Sequence, residues 1–214
     1  SMKKKVPLYI VSGFLGSGKT TFLKNILEVL GAKTSISVIQ SEFPISSFDS
    51  GFKELTSVPF TLLELNRGSS NPVQLSKDHA GKIAVFLESS NPGIIFLEAS
   101  GLAKLREILA ILSTPPLDSV LYLAATIIII DASRFEHEVT FLKNIRQQVK
   151  AADIVLVNKY EKLNRLESPE VIVKSYNYNK IIGWIKDINP DCKIYPSLYS
   201  RIPLEVIDSF LKSV

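Results

Sequence analysis

Residues Gly13-Phe14-Leu15-Gly16-Ser17-Gly18-Lys19-Thr20 stand between an apolar run, Val6 to Val11, and a helical stripe of Phe22, Leu23, Ile26, Leu27 and Leu30. The octet matches G-x-x-x-x-G-K-S/T, and its flanks supply the context that gives this motif meaning: a strand before it and a helix after it. Glycines at these spacings let backbone N–H groups turn inward around anionic oxygens, and the helix N-terminus adds positive potential. Lys19 is placed to reach terminal phosphates, and the Thr20 hydroxyl to bind Mg²⁺. A chain built on this unit is constrained to strands that run parallel, joined by helices.

The rest of the sequence repeats that alternation. Apolar runs at Ile36 to Ile39, Phe60 to Leu63, Ile94 to Leu97, Leu121 to Ile130 and Ile154 to Val157, with a weaker one at Lys193 to Tyr195, are rich in Ile, Val and Leu and do not alternate with polar residues. Strands of that kind are buried on both faces. Helical stripes run through Leu102 to Leu112, Phe135 to Val149, Ile181 to Ile188 and Leu204 to Leu211, and the first stripe stops at Gly31, the usual residue for a left-handed C-cap. The pattern predicts a single α/β domain over residues 6–214, a largely parallel sheet with helices on both faces, of the P-loop NTPase type. Ser41 to Phe52, with Pro44 and Gly51 and little periodicity, reads as a mobile loop.

Composition excludes several classes. The 214 residues are 46% hydrophobic and 21% charged, which suits a folded core and argues against disorder. Net charge is +4, and apart from Lys3, Lys4 and Lys5 the basic residues are scattered, so nucleic acid is not implied. The longest apolar run, Val120 to Ile130, is shorter than the roughly 20 residues of a membrane helix, and the N-terminus does not read as a cleavable signal. The expectation is a cytoplasmic protein with no membrane association. Ser1 ahead of Met2 reads as a residue left by tag cleavage. One cysteine, Cys192, provides neither an internal disulfide nor a thiolate cluster, and only His79 and His137 could add imidazole ligands. Both histidines sit in polar contexts and read as ordinary surface or half-buried residues. Any metal is expected to be oxygen-bound.

A phosphate loop needs a carboxylate near the metal, and two strands end in an acid, at Glu98 and at Asp131. Glu98-Ala99-Ser100-Gly101 has a glycine three residues on, so Gly101 can offer its N–H to a γ-phosphate while Glu98 faces the Mg²⁺ shell. Asp131 has Arg134 at that offset and reads as a helix N-cap. Asn158-Lys159-Tyr160-Glu161 follows a strand where GTPases place N-K-x-D, the element that reads guanine. A carboxylate at the last position accepts from the N1–H and exocyclic amine of guanine, whereas adenine presents an acceptor there. Glu161 keeps the acceptor with one methylene more than Asp, which loosens geometry and selectivity.

Together these residues resemble the CobW-like GTPases, a family that includes the nickel-insertion proteins HypB and UreG. The resemblance runs from about Val6 to Tyr195. It rests on the Gly13 to Thr20 loop with Thr21, Ser41-Glu42-Phe43 in place of Asn-Glu-Phe, Asp49, Glu64-Leu65-Asn66, Glu98-x-Ser100-Gly101, Asp131-Ala132, Gln148 through Ala152-Asp153, and Asn158-Lys159. It implies coupling of GTP binding and slow hydrolysis to delivery of a metal or metal-containing cofactor. Three departures stand out. Where the family carries Asn-Gly-Cys-x-Cys-Cys, this chain reads Asn66-Arg67-Gly68-Ser69-Ser70-Asn71-Pro72, which removes the thiolates that would bind Zn²⁺, Co²⁺ or Ni²⁺ tightly. Pro44 replaces a glycine in the first switch loop. The family's C-terminal substrate domain is expected to be missing.

The sequence therefore reads as a Mg²⁺-dependent GTPase switch binding GTP/GDP. Gly13, Gly16, Ser17, Gly18, Lys19, Thr20, Thr21 and Gly101 surround the phosphates, and Asn158, Lys159 and Glu161 surround the base. Thr20 and Glu98 hold the metal, with Glu42 or Asp49 completing its shell or orienting the attacking water. The expected partners are a client metalloprotein or corrinoid protein and, from the resemblance alone, a second copy of the chain in a nucleotide-gated dimer. The alternative is a nucleotide-gated binding module with little hydrolysis. A small-molecule kinase fits less well, because the arginines are dispersed and form no lid.

Overall fold

A computed structural model describes residues 3–14, 16–41, 56–65, 75–135, 142–159 and 171–212. Its centre is a seven-stranded sheet, β1 (Val6–Gly13), β2 (Ile36–Gln40), β3 (Thr61–Glu64), β4 (Ile94–Ser100), β5 (Leu121–Asp131), β6 (Ile154–Asn158) and β7 (Lys193–Pro196), in the order β3-β2-β4-β1-β5-β6-β7. Every neighbouring pair is parallel. The helices are α1 (Lys19–Leu30), α2 (Lys77–Ser90), α3 (Gly101–Leu112), α4 (Leu142–Lys150), α5 (Val171–Ile188) and α6 (Leu204–Leu211).

Alternate residues of each strand feed two cores, which is why the strands read as continuous apolar runs. On one face Leu8, Ile10, Leu97, Ile128, Ile130 and Val155 pack under α2 to α5. On the other, Tyr9, Val11, Val38, Phe96, Ile127 and Leu156 pack under α1 and α6. That second face is centred on three rings: Tyr9 stacks on Phe96 with centroids 5.6 Å apart and meets Phe210 of α6 at 4.5 Å.

All seven expected strands are present, each shifted or extended by a few residues at most, and they form one α/β domain of P-loop type. One expectation needs correction, that for Gly31, and one helix, α2, was not expected. Of the stripe from Phe135 to Val149, Phe135 is helical directly after a short 3-10 turn over Ala132–Arg134 and Leu142–Lys150 form α4, while residues 136–141 lie outside the described residues. Helix α2 lacked a clear stripe, because only Ala80, Ile83 and Leu87 supply its buried apolar face while Val85 is exposed. Gly31 is not a left-handed cap. It is right-handed at φ −62°, and its N–H donates to Leu27 O. Glycine is required there by space, since a Cβ would collide with Val58 Cγ1.

The ends of the strands carry the candidate residues to one edge. Registers of Gly13 with Ser100 and Ile129, Gln40 with Glu98, and Asp131 with Asn158 place the loops after β1, β2, β4, β5 and β6 side by side. Strand β1 lies between β4 and β5, so the loop after it opens at the point where strand order reverses, the usual ligand crevice of such sheets. Replacing Phe96, fully buried among these rings, by Ala is expected to cost about 3 to 5 kcal/mol, read from urea unfolding; a loss below about 1 kcal/mol contradicts this account of the core.

Candidate nucleotide site

The loop after β1 is shaped by left-handed glycines. Gly13, Gly16 and Gly18 have φ of 152°, 78° and 113°, values that L side chains rarely adopt. Space forbids side chains at two of them. A Cβ on Gly13 would crowd Ile129 O and Ser17 Oγ, and one on Gly18 would collide with Asn158 Nδ2 and Ser200 Oγ. Gly18 is the N-cap of α1, yet no side chain caps that helix and its first turn holds no acid. The N-terminal amides and the positive end of the helix dipole are thus left to an external anion. Ser17 Oγ is buried with no hydrogen-bond partner among the described residues, a polar atom of the loop that awaits one.

Lys19 is 4% exposed, and its Nζ donates to Gly13 O at 2.9 Å, folded back across the loop it is expected to serve. Thr20 is half-buried and Thr21 exposed at the start of α1. Glu98 lies near the end of the buried part of β4 at 3% exposure, followed by buried Ala99, and Gly101, at φ 74°, opens α3. Thr20 and Glu98 are hard oxygen donors on adjacent elements, a set that fits Mg²⁺, which keeps several waters and takes one or two protein ligands beside phosphate.

At the other end of the crevice, Asn158 is 2% exposed and grips the loop from behind: Nδ2 donates to Ser17 O at 2.8 Å and to Ser200 Oγ at 2.8 Å. Ser200 N donates to Asn158 Oδ1 at 2.8 Å, and Ser200 Oγ donates to Gly18 O at 2.9 Å. Tyr199 and Ser200 both hold positive φ, 53° and 59°, and Asn25 Nδ2 of α1 donates to Tyr199 O at 3.0 Å. Ser200 was not singled out in the sequence; its only signal is a small hydroxyl residue shortly after the last strand. Lys159, itself at φ 59°, donates to Gly16 O at 2.5 Å and pairs with Asp131 Oδ2 at 2.9 Å. Asp131 Oδ1 accepts from Ser133 N and Ser133 Oγ, so it caps the 3-10 turn as well as holding Lys159. Glu42, Asp49 and Glu161 lie outside the described residues, as do Leu15, the Asn66 to Pro72 segment and His137.

His79 differs from expectation: it is buried, and its Nδ1 accepts from Ser76 N at 3.0 Å, closing the first turn of α2. Burial lowers its pKa below 6.5, helped by Lys82 and Lys104 and opposed by Asp78 and Glu107. Burial likewise pushes the Cys192 thiol up, so the single cysteine is not a ready thiolate. Among the described residues no group of three His, Cys, Asp or Glu side chains is placed to hold a metal, and no helix is long and apolar enough to cross a membrane.

Two outcomes follow from this geometry. Gly18→Ala forces strain of roughly 1 to 3 kcal/mol into the loop and should weaken binding of a nucleoside diphosphate about tenfold or more by calorimetry; unchanged affinity contradicts the cradle. The neutral His79 ring is favoured in the fold, so its contribution is complete above pH 6.5 and is lost as pH falls toward the lowered value. His79→Gln should therefore lose less unfolding free energy than wild type between about pH 7.5 and about pH 5.5, and equal losses contradict the assignment.

Comparison with known proteins bears on the fold and the family. The chain is 28% identical over 171 residues to the zinc chaperone YeiR of Escherichia coli, covering 79% of this chain and 51% of that protein. It is 26% identical over 228 residues to zinc-regulated GTPase metalloprotein activator 1 of Saccharomyces cerevisiae, covering 95% and 50%. The chain thus spans about half the length of the curated relatives it matches. Among solved structures, Zn(II)-bound YjiA GTPase of E. coli shares the fold with a TM-score of 0.65 at 20% identity, over 96% of this chain and 61% of that one. HypB of Archaeoglobus fulgidus does so with a TM-score of 0.60 at 18% identity, over 97% and 89%. A sequence model of the CobW/HypB/UreG nucleotide-binding domain matches residues 7–182, and the chain belongs to that family.

Proposed function

We propose that this domain is a Mg²⁺-dependent GTP-binding and GTP-hydrolysing switch that assists delivery of a metal or corrinoid cofactor, or assembly of a metalloenzyme, in the cytoplasm. The observation that carries the reading is the uncapped, glycine-shaped entry to α1, held from behind by the Asn158–Ser200 pair. Loop amides from Gly13 to Thr20 and Thr21 bind the phosphates, and Lys19 exchanges its bond to Gly13 O for the β- and γ-phosphate oxygens. Gly101 N–H meets the γ-phosphate. Thr20 and Glu98 hold Mg²⁺, which when bound neutralises charge on the phosphates. Asn158 and Lys159 border the base, with Glu161 reading its N1 edge, and Glu42 or Asp49 completes the site from the segment after β2.

A second reading, a nucleotide-gated module with little hydrolysis, has an observation in its favour. Both buried carboxylates already accept hydrogen bonds, Glu98 from Gln40 and Asp131 from Lys159 and Ser133, so neither is a ready proton acceptor for water. Turnover of GTP alone is then slow, as in GTPases completed by a partner. The zinc named for YeiR and the yeast activator is not assigned to this chain, whose one cysteine is buried and whose Asn66 to Pro72 segment carries no thiol. A client metalloprotein and a nucleotide-gated homodimer remain the proposed partners.

Lys19→Ala should lower GTP affinity by about 10- to 100-fold, the loss of a charged hydrogen bond, and abolish Mg²⁺-dependent hydrolysis in a phosphate-release assay. Wild-type turnover in that variant contradicts the GTPase reading. GTP should displace a labelled nucleotide at a lower concentration than ATP, whereas tighter ATP binding removes the role given to Asn158 and Glu161. GTP that persists for hours in a single-turnover assay selects the binding module over the enzyme.

A further inference from the structure

The end of β2 makes a contact that the phosphate loop does not call for. Gln40 and Glu98 are register partners on the parallel strands β2 and β4. Gln40 is buried at 9% exposure, and its Nε2 donates to Glu98 Oε2 at 3.2 Å. The next residue takes hold of the same glutamate by its main chain: Ser41 N and Ser41 Oγ donate to Glu98 O at 3.2 and 2.6 Å. One dipeptide thus grips both the backbone and the carboxylate of Glu98.

A parallel ladder needs only backbone bonds at such a pair. A buried amide without a partner costs about 1 to 3 kcal/mol, so a glutamine at the end of an otherwise largely apolar strand is tolerated because its amide is used. Its backbone is fixed on both sides, since Gln40 O accepts from Leu65 N at 2.9 Å beyond β3 while the ladder to β4 holds the other edge. The amide therefore approaches the carboxylate on a short, immobile tether. A glutamate has a soft terminal torsion, and a donor fixed on one oxygen sets the plane of the group. A neutral amide does this without cancelling the charge that a cation would pair with.

We propose that Gln40 is a positioning residue for the metal-facing carboxylate. By holding Oε2 it sets the orientation in which Glu98 meets the Mg²⁺ of the bound nucleotide, directly or through water. The proposal rests on the Mg²⁺–nucleotide reading above and adds to it a residue of β2, at the point where the chain enters the segment containing Glu42 and Asp49. It also makes β2 a mechanical partner of the site: any shift of Glu98 on metal binding is transmitted to Gln40 and Ser41.

The test uses the whole chain as wild type, Gln40→Met, which keeps length and burial, and Gln40→Leu. A fluorescent GDP analogue reports affinity in EDTA and the Mg²⁺ concentration that half-maximally slows its release. Affinity in EDTA should stay within about twofold, because the loop amides and Lys19 are untouched, while the Mg²⁺ half-point should rise about tenfold or more, as for other partners of metal-binding carboxylates. Adding Gln40→Met to Glu98→Gln should change the half-point no further, a non-additivity that general loosening of the strand would not produce. If wild type responds to Mg²⁺ and Gln40→Met keeps the same half-point, the positioning role is overturned and the nucleotide reading stands. If wild-type release ignores Mg²⁺ altogether, both are overturned.

Discussion

The structure depends on a loop that is held from outside as well as by its own bonds. Asn158 and Ser200 accept the load: between them they bind Ser17 O, Gly18 O and each other, and they fill the space that a side chain on Gly18 would need. Ser17 N donates to Phe14 O at 3.1 Å within the loop, and no side chain caps the start of α1, whose amides are where an anion can collect. Ser200 and Tyr199 stay left-handed at roughly 1 to 3 kcal/mol each, a strain offset by the bonds that Asn158 and Asn25 make to them. The loop after β1 and the segments that follow β6 and β7 are in this way one mechanical unit.

Much of this was legible in the chain, for definable reasons. Strands buried on both faces announce themselves as Ile, Val and Leu runs, and the octet from Gly13 to Thr20 identifies its own strand and helix. Helix α2 was silent because three buried apolar residues in fourteen do not make a stripe. Gly31 was misread because glycine at a helix end has two explanations, backbone freedom and lack of room, and only the neighbouring Val58 distinguishes them. Tyr199 and Ser200 carry no sequence mark of positive φ, since neither is glycine or asparagine, and their conformation is imposed by contacts with residues 174 and 42 positions away.

The acids show how environment separates similar residues. Glu98 lies near the end of β4 and Asp131 ends β5, both are buried, and both are candidates for the metal. Asp131 is committed to a cation and a turn, with Lys159 and Ser133 on its two oxygens, which makes it a strut between the β5 and β6 loops. Glu98 accepts at its carboxylate from the neutral amide of Gln40 at the end of β2, and at its main-chain carbonyl from Ser41 just beyond. The missing family thiolates sharpen the same point, because oxygen chemistry is then what this chain offers at the crevice.

The claim that an anion is collected by the amides at the start of α1 is tested most directly by recording amide NMR spectra during addition of GDP with Mg²⁺. The account predicts that the N–H resonances of Gly16 to Thr21 move first and furthest, with Ser200 following through its bond to Asn158. Spectra in which those resonances stay still at saturating GDP, or in which shifts gather on α2 and α5 instead, contradict it.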